Sequence, residues 1–352
     1  MKRHLVTVFC SVFLFAGWTA NKANAQSANA QRHVAAARAL AYEPGHDFTE
    51  SFEVICAEPR PGVRPGGPRG AAPGRGAAPE RGAAPDARRV RPRAEWYTEP
   101  AKLFDNFYYV GTGNDSVYAV TTSEGIILLN GGPDYSVEAE VVEGLKKLGL
   151  DAANIKFIVI ADARNPSYGG VRFLQDRYKA RALSSEGDWN VMAKTNVPDE
   201  IRPRKDMVVT DGQKLTLGDT TLTLYVTPGH TPGTISMLIP LKDGNQRHLA
   251  ALIGGRDPLV DGEGVQYFPS QIDAVRAWKA SVDRFRDAAA KAGADVFLIT
   301  RAGNDRLHDK IRALNYRRPG APHPFVNKDA IRRYLTMTSE CMDAQLAWRA
   351  SN

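Results

Sequence analysis

Residues 155–178 read Ile-Lys-Phe-Ile-Val-Ile-Ala-Asp-Ala-Arg-Asn-Pro-Ser-Tyr-Gly-Gly-Val-Arg-Phe-Leu-Gln-Asp-Arg-Tyr. The β-branched apolar run 155–161 predicts a buried strand, which ends at a polar turn containing Pro166. The pair Gly169-Gly170 then opens an amphipathic helix. A loop at the carboxyl end of a buried strand is where α/β proteins usually place their chemistry.

A second loop, rich in proline and glycine, lies further along the chain at residues 227–233 and contains His230. Apolar patterns predict further strands at 107–112, 117–122, 126–129, 214–217, 221–226, 235–241, 249–253 and 295–300, with 52–56 as a short strand or a tether. They predict helices at 30–42, 135–148, 189–194, 270–292 and 328–349. In each half the strands come first and helices follow, which fits two packed sheets with helices outside.

The two loops and the segments between them resemble the metallo-β-lactamase superfamily, in particular exported members that lack a zinc-binding cysteine. The resemblance runs from Trp96 to the C-terminus and implies an α/β fold, the four-layer αββα sandwich. The family carries His-x-His-x-Asp-His, a spacer residue and Gly-Gly at the strand end. Gly169-Gly170 keep that frame, whereas the ligands before them are changed.

The resemblance places six residues of this chain at the family's zinc-ligand positions: Asp162, Arg164, Pro166, Ser167, His230 and Arg301. Proline cannot ligate through its side chain, and arginine does not lose its proton. His230 is the one ligand retained, and a structural role for it is the alternative. The resemblance implies zinc for the family, but the altered ligands predict that this chain has no cofactor.

Arginine at two ligand positions suggests a replacement for the charge of zinc. We expect Arg164, Arg301 and Arg256 to form an anion-binding pocket with Asp162 and Asp257 as partners, so that a small anionic ligand could bind. Asp162 would then bridge Arg164 or Arg301. The alternative is that the long side chains turn outward to water.

A different reading recruits Ser167 as a nucleophile, His230 as its base and Asp162 as the group that orients the base. The sequence shows neither a Gly-x-Ser-x-Gly elbow nor an oxyanion hole to support it.

Asn130 takes the place of an early acidic residue that supports the first loop in the family.

The N-terminus has the pattern of a secretory signal peptide. Lys2-Arg3-His4 is basic, residues 5–18 are apolar, and Ala23-Asn24-Ala25 is a cleavage site before Gln26. The apolar run is short for a membrane span, so residues 1–25 predict an exported, periplasmic or secreted protein without a membrane span in its mature form.

Cleavage would remove Cys10 and leave Cys56 and Cys341. In an oxidising compartment this pair predicts a disulfide between the N-terminal segment, 26–58, and the C-terminal helix. Two unpaired buried thiols are the alternative.

Residues 59–94 are dominated by glycine, proline, alanine and arginine, with three six-residue repeats that begin at Arg69, Arg75 and Arg81. The segment from Arg60 to Arg93 holds nine arginines and two acidic residues, so its charge of +7 equals that of the whole chain. Short repeats without large apolar residues cannot bury a face, which predicts a disordered linker. It lacks the aromatic residues that stack on bases, so we expect no nucleic-acid partner. The metallo-β-lactamase-like domain is predicted at 95–352.

Two functions remain open from the sequence. The first is a non-catalytic, exported protein of this fold, a pseudoenzyme that binds a ligand or partner. The alternative is a hydrolase of a β-lactam, lactone or ester with a degraded or metal-free site. The stretch Asp162 to Ser167 favours the first, whereas the fold by itself favours the second.

Overall fold

The computed structural model describes residues 10–43, 48–59 and 92–350, with side chains of the first helix described from Gln26 onward. Its helices are α1 (Cys10–Ala41), α2 (Thr49–Ile55), α3 (Glu143–Lys147), α4 (Asn165–Tyr168), α5 (Val171–Tyr178), α6 (Glu186–Met192), α7 (Gln271–Lys291), α8 (Leu307–Asn315) and α9 (Lys328–Arg349). Its strands are β1 (Ala101–Phe104), β2 (Phe107–Tyr109), β3 (Tyr118–Thr122), β4 (Gly125–Leu129), β5 (Ile155–Val159), β6 (Arg181–Ser185), β7 (Met207–Val209), β8 (Gln213–Leu217), β9 (Thr220–Val226), β10 (Ile235–Asp243), β11 (Gln246–Ile253), β12 (Asp261–Gly262), β13 (Val265–Gln266) and β14 (Val296–Ile299).

Two sheets form the centre of the molecule. Strands β1 to β7 make one sheet in sequential order, and the second sheet has the order β14-β11-β10-β9-β8. Alternate apolar residues of both sheets, such as Ile127 and Met237, meet in one buried core between them. Helices cover the outer faces, with Leu174 of α5 against the first sheet and Trp278 of α7 against the second. This is the predicted αββα sandwich.

Several details differ from the sequence prediction, which also lacked strands β7, β12 and β13. Residues 52–56 lie mostly in helix α2 rather than in a strand, because Phe52 and Ile55 are one helical turn apart and both bury against the core. The helix predicted at 135–148 starts as a π-helical turn, Val137–Val142, before α3. Strand β1, which the prediction lacked, is four residues long and sits at the edge of its sheet.

The N-terminal segment is part of the folded body. Helices α1 and α2 pack on α9, and Ala37, Phe52 and Ile55 enter the same apolar cluster as residues of α7 and α9. Cys56 is bonded to Cys341, with 4.7 Å between their Cα atoms, so the predicted disulfide is confirmed. The N-terminal segment therefore packs against the body that the sequence predicts from residue 95 onward.

The linker prediction falls largely on residues 60–91, outside the described part of the chain; at its end, Arg93–Glu95 forms a short 3-10 turn. The proposed signal peptide is described only from Cys10 onward, as the beginning of α1, and its cleavage stays a prediction. Within the described ranges, no helix combines the length and the apolarity needed to cross a bilayer.

Candidate functional site

Four loops meet at one edge of the two sheets. The loop after β5 carries Asp162 and Arg164, and the loop between β9 and β10 carries His230. The loops after the parallel pair β11 and β14 carry Arg256 and Arg301. Backbone contacts hold them together, because the amide of Ile235 donates to the carbonyl oxygen of Ala161 at 2.7 Å. We call the following residues the arginine site: Asp162, Arg164, His230, Arg256, Asp257 and Arg301.

The loop after β5 is held in shape by Asn130 at the end of β4. Its side-chain oxygen accepts a hydrogen bond from the amide of Ala161 at 2.9 Å, and its φ of 66° turns the chain into the left-handed region. The amide of the next residue, Gly131, donates to the carbonyl oxygen of Ser167 at 2.7 Å. Pro166 lies in the first turn of α4, where the missing amide costs no helical hydrogen bond.

Asp162 is fully buried and its carboxylate is shared between two neighbours. Its Oδ1 accepts from Nε of Arg164 at 3.1 Å, and its Oδ2 accepts from Oγ of Ser167 at 2.8 Å. Burial raises the pKa of Asp162, but the charge of Arg164, the interaction with His230 and the bond from Ser167 outweigh that effect, so the pKa lies below its ordinary value. The carboxylate is therefore ionised and already engaged.

His230 is buried with one ring nitrogen bonded and the other without a partner. Its Nδ1 lies 2.6 Å from the carbonyl oxygen of Asp257, which can only accept, so Nδ1 carries the proton. Burial, followed by the charge of Arg164, lowers the pKa of His230 to about 4, so the ring is neutral at pH 7. Nε2 then carries a lone pair, and this buried atom receives no hydrogen bond from any described residue. Gly255 permits this packing, because a Cβ there would lie 2.4 Å from the ring.

The other two arginines each have a carboxylate of their own. Nε of Arg256 donates to Oδ1 of Asp257 at 3.0 Å. Nη1 of Arg301 donates to Oδ1 of Asp115 at 3.1 Å, in the loop before β3, so Arg301 does not share Asp162 as the prediction had allowed. Both side chains, like that of Arg164, are less than a quarter exposed. Most of each arginine side chain is therefore shielded from bulk water.

The three guanidinium groups act on one another electrostatically. The pKa of Arg301 is lowered by burial first and then by the positive charge of Arg164, which Asp115 only partly offsets. Burial works against the ionised form of Asp257, yet Arg256 and His230 bring its pKa below the ordinary value. The residues of the arginine site therefore form one electrostatic unit, in which the three guanidinium groups are paired with Asp162, Asp257 and, from outside the site, Asp115.

A small hairpin, β12 and β13, borders the same site. At its turn Glu263 accepts from the amide of Asn165 at 2.6 Å and from the hydroxyl of Tyr168 at 2.5 Å. Burial raises the pKa of Glu263. Tyr267, which follows the hairpin, has a buried hydroxyl with no hydrogen-bond partner among the described residues. The hairpin thereby fixes the start of α4 beside Arg164.

The residues present do not fit a zinc centre. Zinc in proteins is held by imidazole, thiolate and carboxylate groups that converge from several loops. Here Nε2 of His230 has no hydrogen-bond partner among the described residues, whereas both oxygens of Asp162 are engaged by Arg164 and Ser167. Across residues 10–43, 48–59 and 92–350, no three His, Cys, Asp or Glu side chains are grouped so that they could hold a metal ion.

Ser167 and His230 are not arranged as a nucleophile and its base either. The hydroxyl of Ser167 donates to Asp162, and the Nδ1 of His230 is oriented by a backbone carbonyl. A general base must lie within hydrogen-bond distance of the proton it takes. Ser167 and His230 make no such bond.

Sequence reasoning missed Asp115, Glu263 and Tyr267. Asp115 meets Arg301 because an isolated bridge joins the two across 186 positions of sequence. Glu263 sits between two glycines in a segment with no strand pattern. The signal that could have pointed to it is the turn Asp-Gly-Glu-Gly at 261–264.

Solved structures of metallo-β-lactamases are similar to this chain. Native FEZ-1 metallo-β-lactamase from Legionella gormanii matches with a TM-score of 0.60 and 25% identity, over 71% of this chain and 95% of that one. BJP-1, a subclass B3 metallo-β-lactamase of Bradyrhizobium japonicum, matches with a TM-score of 0.59 and 29% identity, over 72% of this chain and 96% of that one. A Cronobacter sakazakii metallo-β-lactamase with a HARLDQ motif matches with a TM-score of 0.60 and 25% identity, over 75% of this chain and 96% of that one. No protein-family model matches the chain.

The chain belongs to the metallo-β-lactamase superfamily. One of these similar structures, BJP-1, is described as a subclass B3 metallo-β-lactamase.

Proposed function

We propose that this protein is an exported, non-catalytic member of the superfamily, a pseudoenzyme that uses the inherited loop edge to bind a ligand or partner. The observation that carries the proposal is the pairing of Asp162 with Arg164 and Ser167, because it fills the region of the family's first ligand motif with an internal ion pair. A hydrolase of this superfamily needs a metal-bound water whose pKa is brought to about 7. One free imidazole nitrogen does not provide such a centre.

Export is supported by two features. The first 25 residues have the composition of a cleavable signal peptide. The bond between Cys56 and Cys341 is of a kind that persists in oxidising compartments. A periplasmic or secreted location accounts for both.

The alternative function, hydrolysis by a degraded or metal-free site, is favoured by one comparison. The Cronobacter sakazakii protein is titled a metallo-β-lactamase, and the second and third residues of its HARLDQ motif are the same as Ala163-Arg164. An arginine at this position therefore also occurs in a protein that is named a metallo-β-lactamase. Its motif nevertheless begins with histidine and contains aspartate where this chain has Asp162 and Pro166, so the two sites differ at the residues most suited to bind zinc.

Metal content and hydrolysis together test the proposal. Protein produced in zinc-supplemented medium and washed with a mild chelator should retain well under one equivalent of zinc, measured by mass spectrometry of the metal. FEZ-1 treated in the same way is the positive control. A panel containing a chromogenic cephalosporin, a lactone and an aryl ester should show no turnover that His230→Ala abolishes. Two tightly held zinc ions, or turnover that depends on His230, would overturn the pseudoenzyme assignment.

A further inference from the structure

The arginine site contains hydrogen-bond donors that the protein itself does not use. Arg164 and Arg256 each bond a carboxylate through Nε, and Arg301 does so through one terminal nitrogen. A guanidinium group has five N–H donors. In the part of the chain that the structure describes, no acceptor engages the terminal nitrogens of Arg164 or Arg256.

The same site also holds an unused acceptor. Nε2 of His230 is buried, carries a lone pair in the neutral ring and receives no hydrogen bond from the described residues. A buried polar atom without a partner destabilises the fold, so its retention needs an explanation. No described side chain donates a hydrogen bond to Nε2 of His230, whereas a ligand with a hydroxyl or amino group could donate one.

We propose that the arginine site binds a small oxyanion, a carboxylate or phosphate, that carries a hydroxyl group close to its charged end. The anionic oxygens would accept from the free N–H groups of Arg164, Arg256 and Arg301, in the paired geometry that guanidinium groups favour. The hydroxyl would donate to Nε2 of His230. This inference rests on the proposed function, because a zinc ion on His230 would occupy the same nitrogen.

The balance of charge favours a ligand of low charge. Asp115, Asp162 and Asp257 already neutralise one positive charge for each arginine. A highly charged polyanion would therefore gain little from the surrounding field, whereas a small anion gains directional hydrogen bonds from donors that are partly removed from water. Specificity would come from the hydroxyl, because an analogue without it leaves Nε2 of His230 unpaired.

Malate and succinate provide a matched pair of probes, since they differ by one hydroxyl. Binding to the full exported protein would be measured by calorimetry and by thermal stability, with inorganic phosphate as a third probe and sodium chloride at equal ionic strength as the blank. We expect malate to bind about 2- to 10-fold more tightly than succinate, the range of one hydrogen bond. If malate binds more tightly than phosphate, the site prefers a carboxylate; the reverse order of affinity indicates a phosphate.

Variants then assign the response to individual residues. Arg256→Ala and Arg301→Lys should each weaken binding by about 10-fold, because each removes a charge-assisted or paired hydrogen bond. Arg317→Ala is the matched control: that arginine is similarly buried and pairs with Asp243 away from the site. His230→Asn keeps a donor for the Asp257 carbonyl and removes the Nε2 acceptor, so malate and succinate should bind equally.

The outcomes separate the inference from the proposed function. The inference fails if no probe raises the melting temperature above the chloride blank, if Arg256→Ala and Arg301→Lys bind as the parent does, or if malate and succinate bind the parent equally. Any of these results with a zinc-free, inactive protein leaves the pseudoenzyme assignment intact. Zinc retention with turnover removes the proposed function and the inference together.

Discussion

Nε of Arg164 lies 3.1 Å from Oδ1 of Asp162, and this contact places a fixed positive charge against a fully buried carboxylate. In the metallo-β-lactamase fold the loops at this edge must keep a precise shape around their polar groups. Here an ion pair inside one short loop, reinforced by Ser167, provides that stabilisation. The edge is therefore structured by the protein's own side chains.

The first prediction concerns this pair. Arg164→Ala should lower the free energy of unfolding by about 3 kcal/mol, because it leaves the Asp162 carboxylate buried without its cation. The double variant with Asp162→Asn should be more stable than Arg164→Ala alone, since it removes the uncompensated charge. Urea unfolding followed by circular dichroism measures both. Arg177→Ala, which breaks an exposed pair with Glu138, is the control and should change stability by less than about 1 kcal/mol. An equally small effect of Arg164→Ala would contradict the role assigned to the pair.

The second prediction concerns pH and Glu140, a buried residue of the π-helical turn Val137–Val142. Its side chain accepts a hydrogen bond from the amide of Thr98 at 3.0 Å. Burial raises its pKa from 4.5 to about 8, so the folded protein holds this proton more tightly than the unfolded chain does. Its contribution to stability is complete below about pH 4.5 and is lost as the pH rises through 8.

Glu140→Gln cannot ionise and should escape this loss. Its stability relative to the parent should increase between pH 5 and pH 8 by about 1–2 kcal/mol, allowing for solvent screening. Urea midpoints at three pH values across that range measure the difference. Glu124→Gln, at an exposed turn, is the control and should parallel the parent. Parallel curves for Glu140→Gln and the parent would show that Glu140 ionises normally.

The third prediction tests the loop that carries His230. Gly229 has a φ of +136°, and a Cβ there would lie 2.4 Å from the Cα of Trp278 in α7. Gly229→Ala should therefore destabilise the fold by more than about 3 kcal/mol, because two backbones would have to separate. Gly212→Ala is the control: its φ is also positive, at +74°, but nothing lies within 4 Å of the added atom. It should cost only about 1 kcal/mol of backbone strain. Similar costs at both positions, measured by guanidinium unfolding, would refute the steric argument.

The fourth prediction concerns the bond between Cys56 and Cys341. Peptide mapping of the purified protein without reductant should give one linked peptide pair, and quantitative alkylation of both cysteines would contradict it. Replacing both by serine should lower stability by up to about 5 kcal/mol, since the bond closes a loop of 285 residues in the unfolded chain. The loss should be concentrated in α1 and α2, which hydrogen exchange can localise, because these helices pack on α9 beside the bond.

The sequence by itself predicted most of the strands and helices and the departures from the family's zinc-ligand pattern, and the resemblance implied the sandwich that they form. Apolar periodicity is local, so strands such as β10 and helix α9 could be predicted from their own residues. The disulfide followed from having two cysteines left to pair. Tertiary structure decided the contacts that are remote in sequence. Arg301 takes Asp115 as its partner because an isolated bridge brings the two loops together, and Glu263 reaches Asn165 because a hairpin folds over α4. Helix α2 buries its apolar face because α9 is there to receive it, and no local pattern encodes that neighbour.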